Sequence, residues 1–201
     1  WDLHGKYPAI LKDKVVGIEA KKLFEDANEM LDKIITESWL QNKAVIGIWP
    51  ANAIGDDIEV YSDNSRTKVS DKFHMLRQQL KKSSKAFNHS LADYIAPKET
   101  GLEDYIGGFA VTTGIGIEPH IERFEADHDD YNSIMLKALA DRLAEAFTEL
   151  MHEKIRKEIW GYDAEETLSN HELIKESYKG IRPAPGYPAC PDHLEKPTLF
   201  R

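Results

Sequence analysis

From Gly17 to about Glu37, Ile18, Leu23, Ala27, Leu31 and Ile34 recur at spacings of three to five, with Lys21, Lys22, Glu25, Asp26 and Glu29 mostly between them. That period predicts an amphipathic helix packed on a core. A longer periodic segment runs from Asp130 to Trp160, where Ile134, Leu139, Leu143, Phe147, Leu150, Ile155 and Ile159 draw one apolar stripe. At about 1.5 Å per residue it spans ~45 Å and predicts the scaffold of the domain. Between these two, the pattern shortens. Ala44 to Trp49 reads as a buried strand closed by Pro50, and Ile58 to Tyr61 as its neighbour across a wide loop. Phe73 to Leu80 reads as a strand entering a short helix, and Lys81 to Ser90 as a polar, exposed stretch. Leu91 to Ala96 and Tyr105 to Thr113 are further strand candidates, with Gly107-Gly108 marking a bulge or a close approach of backbone. Pro119 suits the start of a helix over Ile121 to Asp127. After a loop from Tyr162 to Leu168, Ser169-Asn-His-Glu172 has capping-box spacing and opens a helix ending before Gly180. Strands interrupted by helices at irregular intervals, with a helical C-terminal half, predict an α+β (mixed α/β) fold.

The composition narrows the function classes. At 201 residues the chain suits a single domain over 1–201, with 41% hydrophobic and 30% charged residues in the ordinary globular range. A net charge of −9 argues against nucleic acid as a partner, because phosphate contacts require clustered Lys and Arg. No apolar run approaches the roughly 20 residues that span a bilayer, so no membrane partner is expected. The lone Cys190 rules out an internal disulfide and fits a reducing, cytoplasmic setting. Small molecules and proteins remain as partners.

The stretch with the densest chemistry is Arg182-Pro-Ala-Pro-Gly-Tyr-Pro-Ala-Cys-Pro-Asp-His193. Its prolines fix φ and lack an N–H, which keeps the segment out of helices and central strands. A guanidinium, a tyrosine, a thiol and an imidazole alternate with prolines that cost little entropy to order, and this pattern predicts a rigid binding loop. Other motifs carry less. His128-Asp-Asp130 has metal-ligand residue types, but adjacent residues rarely face one ion, and a helix N-cap by Asp129 or Asp130 is the better reading. Gly114-Ile-Gly116 falls short of a dinucleotide fingerprint, since position 119 is Pro and no βαβ unit surrounds it. Cys190 and His193 lack an orienting third group, which favours a packed, inert thiol over a nucleophile.

The run Tyr178-Lys-Gly-Ile-Arg-Pro-Ala-Pro-Gly-Tyr-Pro-Ala-Cys-Pro-Asp-His193 resembles the signature loop of the S-adenosylmethionine-binding reactivation domain of cobalamin-dependent methionine synthase. Gly5-Lys-Tyr-Pro8, Asp56-Asp-Ile58, Leu76-Arg-Gln-Gln79, His128-Asp-Asp-Tyr131 and Lys137-Ala-Leu-Ala-Asp-Arg-Leu-Ala-Glu-Ala-Phe147 are similar to the same family. The resemblance runs almost end to end. It implies a curved domain with a largely antiparallel sheet flanked by helices.

It also implies site residues. A ligand with an α-carboxylate, an α-ammonium, a sulfonium and an adenine needs a guanidinium, backbone groups and nearby carboxylates. On residue type alone Arg182 is better read as half of a local ion pair; the resemblance assigns it to the ligand carboxylate. Ala184, Gly186 and Tyr187 serve equally as loop architecture or, by resemblance, as the adenine-side surface. Glu145 and Glu176, otherwise solvated helix charges, are implied as the acids near the cationic groups. The resemblance implies no catalytic acid, base or nucleophile and no metal ligand in this chain.

By the same resemblance the parent enzyme is a methyltransferase of methionine biosynthesis. This domain would bind S-adenosylmethionine for the reductive methylation of cob(II)alamin. Its implied partners are the cobalamin-binding domain of the same enzyme and a flavodoxin-like electron donor. The abrupt start at Trp1 and the stop after Phe200-Arg201 lead to the expectation of a chain cut at both ends, without an upstream aspartate and a downstream tyrosine pair that complete the family's site. Two alternatives stand beside it: a non-catalytic module that docks on a cobalamin-binding or flavodoxin-like protein, and an independent methyltransferase. The second is the weaker, for want of a glycine-rich strand-to-helix loop.

Overall fold

Residues 1–83 and 86–201 are described by the structure, a computed structural model. Two compact units divide the chain: residues 1–44 with 111–150, and residues 45–110 with 151–201.

The first unit is helical. Helix α1, Gly17–Thr36, forms where the periodicity predicts it, and Asp13 caps its approach by accepting from the N–H groups of Val15 and Val16 at 2.8 and 3.0 Å. Its buried face is carried by Ala20, Met30 and Ile34, with Leu23 and Ala27 partly buried, whereas Ile18 is 81% exposed and lies off the stripe. Helix α2, Glu118–Ala126, has Pro119 in its first turn, where the missing N–H costs no helical bond. Helix α3 covers Asp130–Lys154. Asp129 caps it by accepting the backbone and side-chain N–H of Asn132 at 3.0 and 2.6 Å, the role favoured for the His128-Asp-Asp130 motif. Met30, Ile34, Trp39, Met135 and Leu136 form the core of this unit.

Most of a four-stranded sheet, in the order β3-β2-β1-β4, makes up the second unit. Strand β1 runs over Gln41–Ile54, β2 over Asp57–Tyr61, β3 over Val69–His74 and β4 over Asp104–Ile115, with β1–β2 and β2–β3 antiparallel. Pro50 does not close β1 as expected; the strand continues through it. The reason lies in register: β2 pairs only with Ala51–Ile54, so the missing N–H of Pro50 falls outside that ladder. The turn that follows is tight, not wide. Ile54 pairs with Asp57, leaving only Gly55 and Asp56 between them, and Gly55 adopts φ +60°, as the first central position of a type II′ turn requires. Ile58, Val60, Phe73, Met75, Ala51, Ala53, Ala92 and Ile95 are the buried core, with Cys190 and Leu199 packed against it.

Two further expectations fail in this unit, and a third holds except at its end. Leu91 to Ala96 is no strand but a single 3₁₀ turn, Leu91–Tyr94, opened by a capping box between Ser90 and Asp93. No helix follows β3, because Arg77 is tied across the chain to Asp56, Asp93 and the carbonyl of Asn88. Arg77 in turn holds the Asp93 carboxyl down at about 2, well below its ordinary range. The stretch from Lys81 to Ser90 includes residues 84 and 85, outside the described residues; Phe87 is exposed as expected, but Ser90 is fully buried.

Glycines on β1 and the edge strand β4 make room for indole rings. A Cβ at Gly47 would meet the Trp49 ring at 2.1 Å, and one at Gly107 would meet Trp160 at 3.0 Å. Gly107-Gly108 is therefore the close approach expected, with side chains instead of backbone as the neighbours; at Gly108 the neighbour is Leu199, 2.9 Å away. The α+β class is as expected. Ile58 is fully buried at the centre of the second core, and Ile58→Ala is expected to lower stability by about 2–5 kcal/mol through lost contacts and a cavity. Urea denaturation followed by circular dichroism, read as a lower midpoint at unchanged slope, checks it.

Candidate functional site

After Lys154 the helical path of α3 changes its bonding. Residues Ile155–Ile159 form a π turn, in which the N–H of Trp160 reaches the carbonyl of Ile155 at 2.9 Å. Here the expected stripe holds at Ile155 but not at Leu150 and Ile159, which are half exposed, while Met151, His152 and Arg156 point inward beside Ile155. Arg156 is 0% exposed, and a buried charge is tolerated only when paired and hydrogen-bonded. Its partner is Glu166, 8% exposed, which accepts from Nε and Nη2 at 2.5 and 2.6 Å in a bidentate fork. Nη1 donates to Nδ1 of His152 at 2.6 Å, which places the imidazole proton on Nε2.

The guanidinium carbon lies 4.5 Å from the ring centre of Tyr178, and His152 meets the same ring edge-on at 4.7 Å. Both contacts are of favourable type. Tyr178 thus begins the signature run from a buried, charged seat. The next two residues are held as well. Lys179 bridges to Asp163 at 2.7 Å and its carbonyl accepts from the Tyr162 hydroxyl at 3.3 Å, while Gly180 turns at φ +81° against that hydroxyl.

Beyond this stem the loop closes on itself. Gly186 N–H donates to the Cys190 carbonyl at 2.8 Å, Cys190 N–H to the Tyr187 carbonyl at 2.9 Å, and Tyr187 N–H to the Ala184 carbonyl at 3.1 Å. Gly186 sits at φ +101°, and a Cβ there would come within 2.9 Å of His193 Nε2, so only glycine fits. The segment is an ordered loop, as its prolines predict. Arg182 is half-buried, and Ala184, Gly186 and Tyr187 are exposed along one stretch of backbone. Among the described residues the N–H of Ala184 has no acceptor, so it stays available to a ligand edge.

Neither glutamate belongs to this loop. Glu176 is not on the short helix α4, Asn170–Ile174, which the Ser169–Glu172 capping box opens as expected. It follows the helix end at φ +55°, exposed, because the helix stops one turn after it starts. Glu145 lies on α3 in the other unit, exposed and paired with Arg142 at 3.0 Å.

Electrostatics separate the candidate groups. Burial, followed by the charges of Arg156 and Arg182, pushes His152 down to about 3, so it is neutral at physiological pH. The Arg156 fork draws the Glu166 carboxyl below its ordinary value despite burial. Burial pushes the Cys190 thiol up, with Asp192 and Glu195 adding to it, the opposite of what a nucleophilic thiol needs. Among the described residues no group of three or more His, Cys, Asp or Glu is placed to hold a metal ion, and no helix is long and apolar enough to cross a membrane.

His152, Arg156 and Glu166 escaped the reading of the sequence. Their charges and ten-residue spacing look like solvated helix and loop; the one available signal was the polar pair His152 and Arg156 at i, i+4 beside Met151 and Ile155.

A family model for the vitamin B12 dependent methionine synthase, activation domain, matches residues 1–201. A crystal structure of the MetH reactivation domain bound to AdoHcy is similar at 59% sequence identity and a TM-score of 0.91, over 100% of this chain and 61% of that chain. The chain therefore spans less than two thirds of that relative.

The buried imidazole has a measurable consequence. His152 stays neutral in the fold, while in the unfolded chain it takes a proton below about 6.5. Stability is therefore full above that pH and declines as pH falls, by at most about 1.4 kcal/mol per pH unit from this group. Between pH 6.5 and 5 this loss precedes that of Glu166, whose lowered value confines its own loss to pH below its ordinary 4.5. His152→Gln, which keeps an acceptor for Arg156, is expected to flatten the slope over that window. His120, also pushed down by burial, leaves a residual slope in both proteins. Thermal melts across the window check it.

Proposed function

Because the chain belongs to the activation-domain family of vitamin B12-dependent methionine synthases, we propose that it binds S-adenosylmethionine at the Arg182 loop and serves the reactivation of its parent methyltransferase. The observation that carries the reading is the loop itself: a half-buried guanidinium followed by an exposed, internally bonded turn with a free backbone N–H, in a chain 59% identical to a reactivation domain crystallised with AdoHcy. AdoHcy and S-adenosylmethionine share the α-amino acid and adenosine parts that such a loop would meet.

In this reading Arg182 forks onto the ligand carboxylate, a charge-assisted pair of about 1.5–3 kcal/mol. Ala184 offers its N–H to the adenine edge, its methyl permitting close approach. Gly186 lets the backbone turn beneath the ligand, and Tyr187 supplies an aromatic face. The resemblance adds Glu145 and Glu176 as the carboxylates facing the ammonium and sulfonium. Bound there, S-adenosylmethionine supplies the methyl group for reductive methylation of cob(II)alamin held by a neighbouring domain, the electron coming from a flavodoxin-like donor in the cytoplasm. This chain contributes position: it holds a methyl donor in one orientation, and its own side chains move no proton.

Calorimetric titration of S-adenosylmethionine tests the reading on this chain, on Arg182→Ala, and on a longer chain extended at both ends. Saturable binding is expected, weakened tenfold to hundredfold by Arg182→Ala, as loss of about 1.5–3 kcal/mol requires. Equal affinity in wild type and variant would remove Arg182 from the site. No heat from either the chain or its extended form would end the ligand reading in favour of a docking module.

A further inference from the structure

The buried charge pair touches Tyr178, where the run leading into the proposed binding loop begins, and it is an odd way to stabilise a fold. Each buried ion costs several kcal/mol of desolvation, and apolar residues of similar volume are often neutral or better for stability. What the pair does supply is direction. Three consecutive stem residues are fastened to the segment running from Arg156 to Glu166: Tyr178 to the face of the Arg156 guanidinium, Lys179 to Asp163 and Tyr162, and Gly180 against the Tyr162 hydroxyl. That segment is itself closed by the Asp163 N–H on the Arg156 carbonyl at 2.9 Å and by the fork to Glu166. Arg182 follows the last fastened residue by two.

We propose that Arg156 and Glu166, with His152 as the third ligand of the guanidinium, are positioning residues for the Arg182 loop: the pair exists to aim Tyr178, and through it the stem, instead of to hold the fold. A planar guanidinium fixed by three acceptors from two partners cannot rotate, so the ring whose face it meets at 4.5 Å has one seat. An apolar pair would fill the volume without fixing that angle. The ligand part of this inference rests on the binding reading above; the part concerning the loop does not.

The double variant Arg156→Met/Glu166→Met separates aiming from holding. The single Glu166→Met would leave an uncompensated buried charge and is expected to unfold more easily, so it serves as the control for burial. In the double variant the denaturation midpoint is expected to stay at or above that of wild type. Amide hydrogen exchange at Gly186 and Tyr187, whose N–H groups close the loop, is expected to accelerate at least tenfold in the unliganded chain. AdoHcy affinity, measured by calorimetry, is expected to fall at least tenfold with it, and Arg156→Lys, which keeps the charge without the planar fork, is not expected to restore either. Unchanged exchange at those two amides in a stably folded double variant overturns the proposal. So does a double variant as unstable as the single one, since the pair would then hold the fold. Should wild type bind no AdoHcy, the functional reading falls while the exchange experiment still decides the positioning role.

Discussion

The constraint on which the C-terminal segment of the second unit depends is the desolvation of one arginine. Arg156 is completely buried, and nothing around it tolerates an unpaired charge. Its surroundings are arranged to give the planar guanidinium three acceptors. Glu166 must return to it through a turn, His152 must stay neutral to accept, and Tyr178 must lie across the open face. The turn from Tyr162 to Glu166 and the stem from Tyr178 to Gly180 are consequences of that requirement, and the proline loop inherits its starting direction from them.

Local rules carry the rest of the fold. Asp13, Ser90 and Asp129 each accept from N–H groups at the start of a helical turn, and the Glu172 carboxylate accepts from the N–H and hydroxyl of Ser169, so element ends are fixed by side chains within three residues. The sheet adds a second device. Trp49 and Trp160 are accommodated by glycines at 47 and 107, which trade strand propensity for room. Cys190 and Leu199 pack against the same core as the sheet, so the loop's far end is anchored by apolar contact while its stem is anchored by charge.

What could be read in the sequence divides along this line between local and distant. Helices α1 and α2 and the cap of α4 were legible because period, proline and capping residues act over a few positions. The proline loop was legible as ordered because its backbone is restricted residue by residue. Pro50 misled because its cost depends on whether the ladder needs its N–H, and the paired register of β1 with β2 begins only at Ala51. Leu91 to Ala96 misled because its strand-like residues follow Ser90, whose cap with Asp93 outweighs propensity. The stripe of α3 holds at Ile155 but was misread at Ile134, Leu150 and Ile159, which are exposed while Met135, Leu136 and Met151 are not. For the loop, the family resemblance, not residue type, pointed to Arg182, Ala184, Gly186 and Tyr187. Their support was invisible: an Arg–Glu pair ten residues apart carries no local signature, and only burial reveals it. Glu176 was assigned to a helix that ends two residues earlier, since nothing in its neighbours announces the positive φ.

The π turn at the end of α3 sets a limit on how this family can change length. An α-helix advances about 100° per residue, so gaining or losing one residue swings every later side chain by that angle. The i to i+5 bond at Ile155 is one such added residue, already taken up. Removing it would turn Arg156 away from Glu166, and adding another would turn it past. The stretch from Met151 to Trp160 is thereby closed to the insertion or deletion of a single residue, which would cost the buried pair.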